Sequence, residues 1–142
     1  LLLPYCNKSS EQPQLQSEHT QKIKGVLEYI GLHYTENISI ESLASSCYFS
    51  EYHFMRFFKK YVGMSCLDYI KSLRLQKAAD LLEQQELSIT DAAMTAGFSS
   101  LSYFYREFKK RYGTTPRQFI HSLPERQHTN RASTPGSPFS PL

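Results

Sequence analysis

The stretch YFSEYHFMRFFKKYVGMSCLDYI, from Tyr48 to Ile70, returns about fifty residues later as FSSLSYFYREFKKRYGTTPRQFI, from Phe98 to Ile120. In register, Ser50, Phe54, Arg56, Phe58, Lys59, Lys60, Gly63 and Ile70 meet Ser100, Phe104, Arg106, Phe108, Lys109, Lys110, Gly113 and Ile120. Upstream the offset drops by one, so that Ser39, Ile40, Ala44 and Phe49 meet Ser88, Ile89, Ala93 and Phe98. The length difference therefore falls in a turn between two short helices. The repeated unit is a helix, a turn and a second helix, and each second helix carries both aromatic anchors and cations. A chain with two such units is built to touch a long polyanion at two places.

Outward from this repeat the periodicity stays helical, and no alternating β-branched run offers a sheet. The expectation is an all-α fold of about seven helices, two helix-turn-helix subdomains joined by a central linker helix. Helix one, about His19 to Tyr34, carries Ile23, Val26, Leu27, Ile30 and Tyr34 on one stripe. Ser39 caps a second helix from Ile40 to Cys47, and Ser50 caps a third that ends before Gly63, a residue suited to the left-handed position after a helix. Helix four, about Leu67 to Gln84, is apolar on nearly two sides through Ile70, Leu73, Leu75, Ala78, Leu81 and Leu82, which suits a helix shared by two cores. Ser88 caps helix five to Ala96, helix six runs from Ser100 to Tyr112, and Pro116 sits where a seventh helix to about Ser122 begins.

The 142 residues, 40% of them apolar, allow one domain or two small subdomains. Residues 1–17 mix Pro, Asn, Ser and Gln with little periodicity and read as a disordered linker cut from something longer. From Pro124 the chain holds four prolines and almost no apolar spacing, the composition of a tail that cannot bury enough surface to fold. The expected division is a folded domain over 18–123, made of a first unit 18–65, a linker helix 66–85 and a second unit 86–123, followed by a tail over 124–142. No run is long and apolar enough for a membrane span or a secretory leader, and three cysteines without metal spacing suit a reducing cytoplasm. The formal charge of +3 is weak evidence by itself, so the case for a polyanionic partner rests on where the charges sit.

At about 100° per residue, Phe54, Phe57, Phe58 and Tyr61 share one side of the third helix, leaving Tyr52, Arg56, Lys59 and Lys60 opposite and Met55 on the flank. The same arithmetic on the sixth buries Leu101, Phe104 and Phe108, and exposes Ser102, Arg106, Lys109 and Lys110, with Tyr105 at the border. A helix with a hydrogen-bonding or stacking face near its N-terminus and lysines near its C-terminus suits a DNA major groove. The groove admits one helix, Arg can bond bidentately to guanine, and the lysines then lie along phosphates.

The run RLQKAADLL, Arg74–Leu82, followed by SITDAAMTAGFSSLSYFYREFKKRYGTTPRQFI, resembles the DNA-binding domain of AraC/XylS-type bacterial transcription regulators. The likeness covers about residues 19–122 and includes both helix-turn-helix units, the linker helix and the Gly-x-x-Pro pattern from Gly113 to Pro116. It implies a double-stranded DNA partner, with two recognition helices entering adjacent major-groove segments. It also implies contact with RNA polymerase subunits, and an effector-binding or dimerising domain outside this stretch. Base-reading positions carry over to Tyr52, Met55 and Arg56 in the first unit and to Leu101, Ser102, Tyr105 and Arg106 in the second. Backbone contacts are expected from Ser50, Lys59, Lys60, Ser100, Lys109 and Lys110. Two departures stand out. Tyr48 occupies the turn position that Gly97 holds in the second copy, costing about 1 kcal/mol if φ is positive there. Cys66 stands where the other copy has Pro116.

The four phenylalanines at 54, 58, 104 and 108 are core in any reading, and His53 is a packing or phosphate-contacting residue rather than a metal ligand. No Gly-rich phosphate loop, nucleophile elbow, paired-carboxylate motif or His-Glu-x-x-His is present, so neither catalysis nor a cofactor or metal is expected. The competing reading is a helical protein-interaction module anchored by Tyr52, Tyr103 and Tyr105.

Overall fold

The computed structural model describes residues 2–124, with side chains from residue 16 onward. Among these residues there are seven helices and no strand: α1 Leu2–His33, α2 Ile40–Ser46, α3 Glu51–Val62, α4 Cys66–Gln84, α5 Ile89–Ala96, α6 Leu101–Tyr112 and α7 Pro116–His121. They fall into two compact units, one ending at Lys71 and the other beginning at Ser72, so the dividing point lies inside α4.

Serine hydroxyls start the repeated helices. Ser39 Oγ accepts from the Ser42 amide at 3.1 Å, Ser50 Oγ from His53 at 3.1 Å, Ser88 Oγ from Asp91 at 3.0 Å and Ser100 Oγ from Tyr103 at 3.2 Å. Each satisfies an amide that the first helical turn leaves without a partner. Glycine ends α3 and α6 alike: Gly63 at φ 94° and Gly113 at φ 79° sit in the left-handed region, with their amides donating to Lys59 and Lys109 carbonyls. Ser65 and Thr115 cap the helices that follow, and Cys66 and Pro116, the next residues, are both fully buried. Burial pushes the Cys66 thiol up to about 11, so it stays protonated and unreactive near neutral pH.

The turns inside both units share one hydrogen-bond pattern. In the first, the amides of Tyr48 and Phe49 donate to Ser45 and Ala44 carbonyls; in the second, those of Gly97 and Phe98 donate to Met94 and Ala93. This is the paired motif that closes a helix through one left-handed residue. Tyr48 adopts it at φ 62° where Gly97 has φ 111°. The Tyr48 side chain is 90% exposed, so its packing does not compensate the strain. Replacing Tyr48 by glycine should therefore stabilise the first unit by about 1 kcal/mol in chemical denaturation, with no loss of helix content.

In the first unit Ile23, Val26, Ile30, Leu43, Ala44, Phe54, Phe57, Phe58 and Ile70 are buried. The Lys22 ammonium donates to the Cys47 carbonyl at 3.2 Å and lies 4.7 Å from the Phe49 ring centre, tying α1 to the end of α2. In the second, Leu75, Ala78, Ala79 and Leu82 of α4 pack with Ala92, Ala93 and Ala96 of α5 and with Phe98, Phe104 and Phe108. Small alanines on α5 let the aromatic rings of α6 approach it closely.

One expectation fails. Residues 2–17, read as a disordered linker, are the beginning of α1. Apolar periodicity signals a packed face, which this segment lacks, and Pro4, Asn7, Ser9, Ser10 and Pro13 all disfavour helix, so its residues offer no local reason for the helical backbone. Residues 16–18 are helical and exposed. The expected tail over 124–142 lies outside the described residues except for Pro124.

Candidate nucleic-acid interface

The two cationic helices present matched but unequal faces. On α3, Phe54, Phe57 and Phe58 are buried while Tyr52, Arg56, Lys59 and Lys60 are exposed and Met55 is half-buried. Arg56 Nη1 donates to the Tyr52 hydroxyl at 3.1 Å, with the guanidinium carbon 5.6 Å from the ring centre. This i, i+4 pairing holds a planar donor fork and a flat ring side by side on the outer face. Lys59 and Lys60 occupy the last turn, where the carbonyl end of the helix favours cations. Glu51 sits in the first turn at the amide end, the position that helix polarity assigns to an acid.

On α6, Ser102, Arg106, Lys109 and Lys110 are exposed. Leu101 and Tyr105 are instead half-buried and pack against the second core. Of the four base-reading positions carried over to this helix, only Ser102 and Arg106 thus stand free of the core. The Arg106 guanidinium lies 5.2 Å from the Tyr103 ring centre. Ser50 and Ser100 are exposed, but their oxygens already serve as helix caps. Among Tyr52, Tyr103 and Tyr105, the anchors of the competing protein-interaction reading, only Tyr52 is mostly exposed, at 72%.

Sequence reasoning missed two features here. Glu107, in register with Phe57, is 6% exposed and its Oε2 lies 3.7 Å from Arg106 Nε and 3.9 Å from Lys110 Nζ. These separations exceed a hydrogen bond but hold two outward cations beside a buried carboxylate. The repeat alignment marks the position, since an acid replaces a core ring there. Nearby on α4, burial lowers the Arg74 guanidinium below its ordinary range, an effect Tyr103 partly offsets. The second feature is His19 of α1, whose Nδ1 lies 3.0 Å from the Tyr61 hydroxyl and whose ring meets Phe57 and Tyr61 edge-on at 5.3 and 5.7 Å. Nothing in a single sequence signals a contact across forty-two positions.

Among the described residues no cluster of His, Cys, Asp or Glu could hold a metal ion, and no helix is long and apolar enough to cross a membrane. Two Ser-capped cationic helices, each following a short helix and a tight left-handed turn, define a double helix-turn-helix protein. A family described as a helix-turn-helix domain matches residues 43–122. The regulatory protein PocR of Salmonella typhimurium is 34% identical over 123 residues, which cover 87% of this chain and 40% of PocR. A probable AraC family transcriptional regulator from Rhodopseudomonas palustris superposes with TM-score 0.66 at 29% identity, covering 73% of this chain and 99% of that one. The DNA-binding domain of AdpA, solved in complex with a target DNA, superposes with TM-score 0.65 at 25% identity, covering 81% of this chain and 97% of AdpA's. The chain belongs to the AraC-type helix-turn-helix family. It spans less than half the length of PocR.

Proposed function

We propose that this chain is the DNA-binding part of a transcription regulator, which reads double-stranded DNA by inserting α3 and α6 into adjacent major-groove segments. The observation that carries this reading is the internal match of two exposed Arg-x-x-Lys-Lys faces, Arg56 with Lys59 and Lys60, and Arg106 with Lys109 and Lys110. Duplication explains shared core residues, but a solvated face has no packing reason to keep the same cations at the same spacing. Tyr52 and Arg56 are the principal base readers, with Met55 beside them; Ser102 and Arg106 read in the second unit. Leu101 and Tyr105 mainly support α6 from below. Lys59, Lys60, Lys109 and Lys110 lie along phosphates, with Ser50 and Ser100 at the helix starts.

The proposed reading units are residues 18–65 and 86–123, linked by 66–85. Their function is binding rather than catalysis, in the cytoplasm, with RNA polymerase subunits as a further partner and effector binding assigned to sequence outside this stretch. Each lysine that neutralises a phosphate adds about 0.9 to the slope of log affinity against log salt. Lys59→Ala or Lys109→Ala should therefore weaken binding to all duplexes alike and flatten the slope by about one unit. Fluorescence anisotropy titrations at several salt concentrations measure this. A wild-type affinity that barely responds to salt would overturn the DNA reading in favour of a protein interface.

A further inference from the structure

Beside the base-reading face of α3 runs a groove of about 590 Å³, walled by His19 of α1 and by Tyr52, His53, Arg56, Phe57, Lys60 and Tyr61 of α3. Among the described residues, no carboxylate lines it. Its floor is aromatic, its rim carries the Arg56 and Lys60 cations, and the Lys60 ammonium lies 5.7 Å from the Tyr61 ring centre. Charge alone makes this a place for an anion.

The hydrogens decide what kind. His19 Nδ1 and the Tyr61 hydroxyl share one hydrogen bond of 3.0 Å. A neutral imidazole carries one N–H and a phenol one O–H, so the pair holds two hydrogens and uses one internally. If Tyr61 donates, Nε2 of His19 keeps its hydrogen; if His19 donates, the Tyr61 hydroxyl keeps its own. In both arrangements one donor remains for an acceptor in the groove. Tyr52 behaves likewise, because its oxygen accepts from Arg56 and its hydrogen is not used in that bond. The groove thus offers neutral donors between two cations, a combination that fits phosphate oxygens.

We propose that this groove holds a backbone phosphodiester of the bound duplex, making His19 of α1 and Tyr61 of α3 part of the DNA interface. The proposal rests on the major-groove reading of α3. Tyr52 and Arg56 line both the groove and the base-reading face. A helix lodged in a major groove has a sugar-phosphate strand on each flank, so the strand on this flank meets the groove. Contacts of this kind fix register without reading sequence.

The double variant His19→Phe/Tyr61→Phe keeps both rings and removes both donors. Its affinity should fall about tenfold or more on every duplex, the scale of one hydrogen bond to a charged group. A scan in which single phosphates are replaced by neutral methylphosphonates should reveal one position on the flank of the first half-site where wild-type binding weakens and the variant's penalty is clearly smaller. Identical penalties at every position in the two proteins would overturn the groove assignment while leaving the DNA reading intact. Wild-type protein that binds no duplex preferentially would instead overturn the reading itself. Should the double variant melt before binding can be measured, Lys60→Gln must lower the penalty at that same phosphate for the proposal to stand.

Discussion

Arg56→Ala should weaken binding to the preferred duplex by about 1–3 kcal/mol and relax the preference at one or two base positions, leaving nonspecific binding much less affected. The reason is preorganisation. Arg56 already leans on Tyr52 through one hydrogen bond and the face of its ring, so its fork is held outward before DNA arrives. Arg106 sits differently, with its Nε 3.7 Å from the buried Glu107 carboxylate, which competes with a base for the same guanidinium. Arg106→Ala should therefore cost less than Arg56→Ala. Selection from a random duplex library, repeated with both variants, gives the loss of preference position by position. An equal drop on all sequences for Arg56→Ala would make Arg56 a backbone contact instead.

Phe108→Ala should have the largest effect on stability, about 3–5 kcal/mol, the usual result of emptying a fully buried aromatic site. Its ring is wholly inaccessible and meets Phe104, Tyr112 and Phe119 at 5.5, 4.6 and 5.4 Å between centres, so the core of the second unit loses its central contact. Against a total of about 5–15 kcal/mol for a typical domain, that loss takes up much of the margin. The midpoint of thermal unfolding should drop by roughly 12 °C or more. The DNA footprint should contract toward the segment read by α3. A melting curve within two or three degrees of wild type would show that the site collapses onto smaller neighbours, contrary to this account.

The bounds of α2 to α7 were legible because they rest on local chemistry: Ser39, Ser50, Ser88 and Ser100 accept from amides three positions on, and Gly63 and Gly113 take the left-handed conformation. The outward faces of α3 and α6 were legible for a similar reason, since Arg56 and Lys60 each stand two residues, about half a helical turn, round from Phe54 and Phe58. What escaped needed distance or context. Leu2–Ser17 forms helix without the apolar stripe that announces one. Glu107 is an acid in a core position, which periodicity alone assigns to the inside and charge alone to the outside. At Leu101 and Tyr105 two sequence readings pull apart: the family likeness carries both over as base readers, while helical arithmetic puts Leu101 inward and Tyr105 at the border, and both pack against the core. His19 meets Tyr61 only because α1 and α3 share a unit, and no local rule brings them together.

The inequality of the two copies has a consequence for orientation. Identical readers related by a two-fold axis dock on a palindrome, which looks the same from either end. Here one copy offers Tyr52 with Arg56 and the other Ser102 with Arg106 beside Glu107, so on the proposed reading the two half-sites differ. On that reading the chain has a head and a tail on its site. Inverting the site in a promoter turns the bound protein to face the other way, carrying any attached domain with it. On the proposed reading, the recognised sequence works as an arrow.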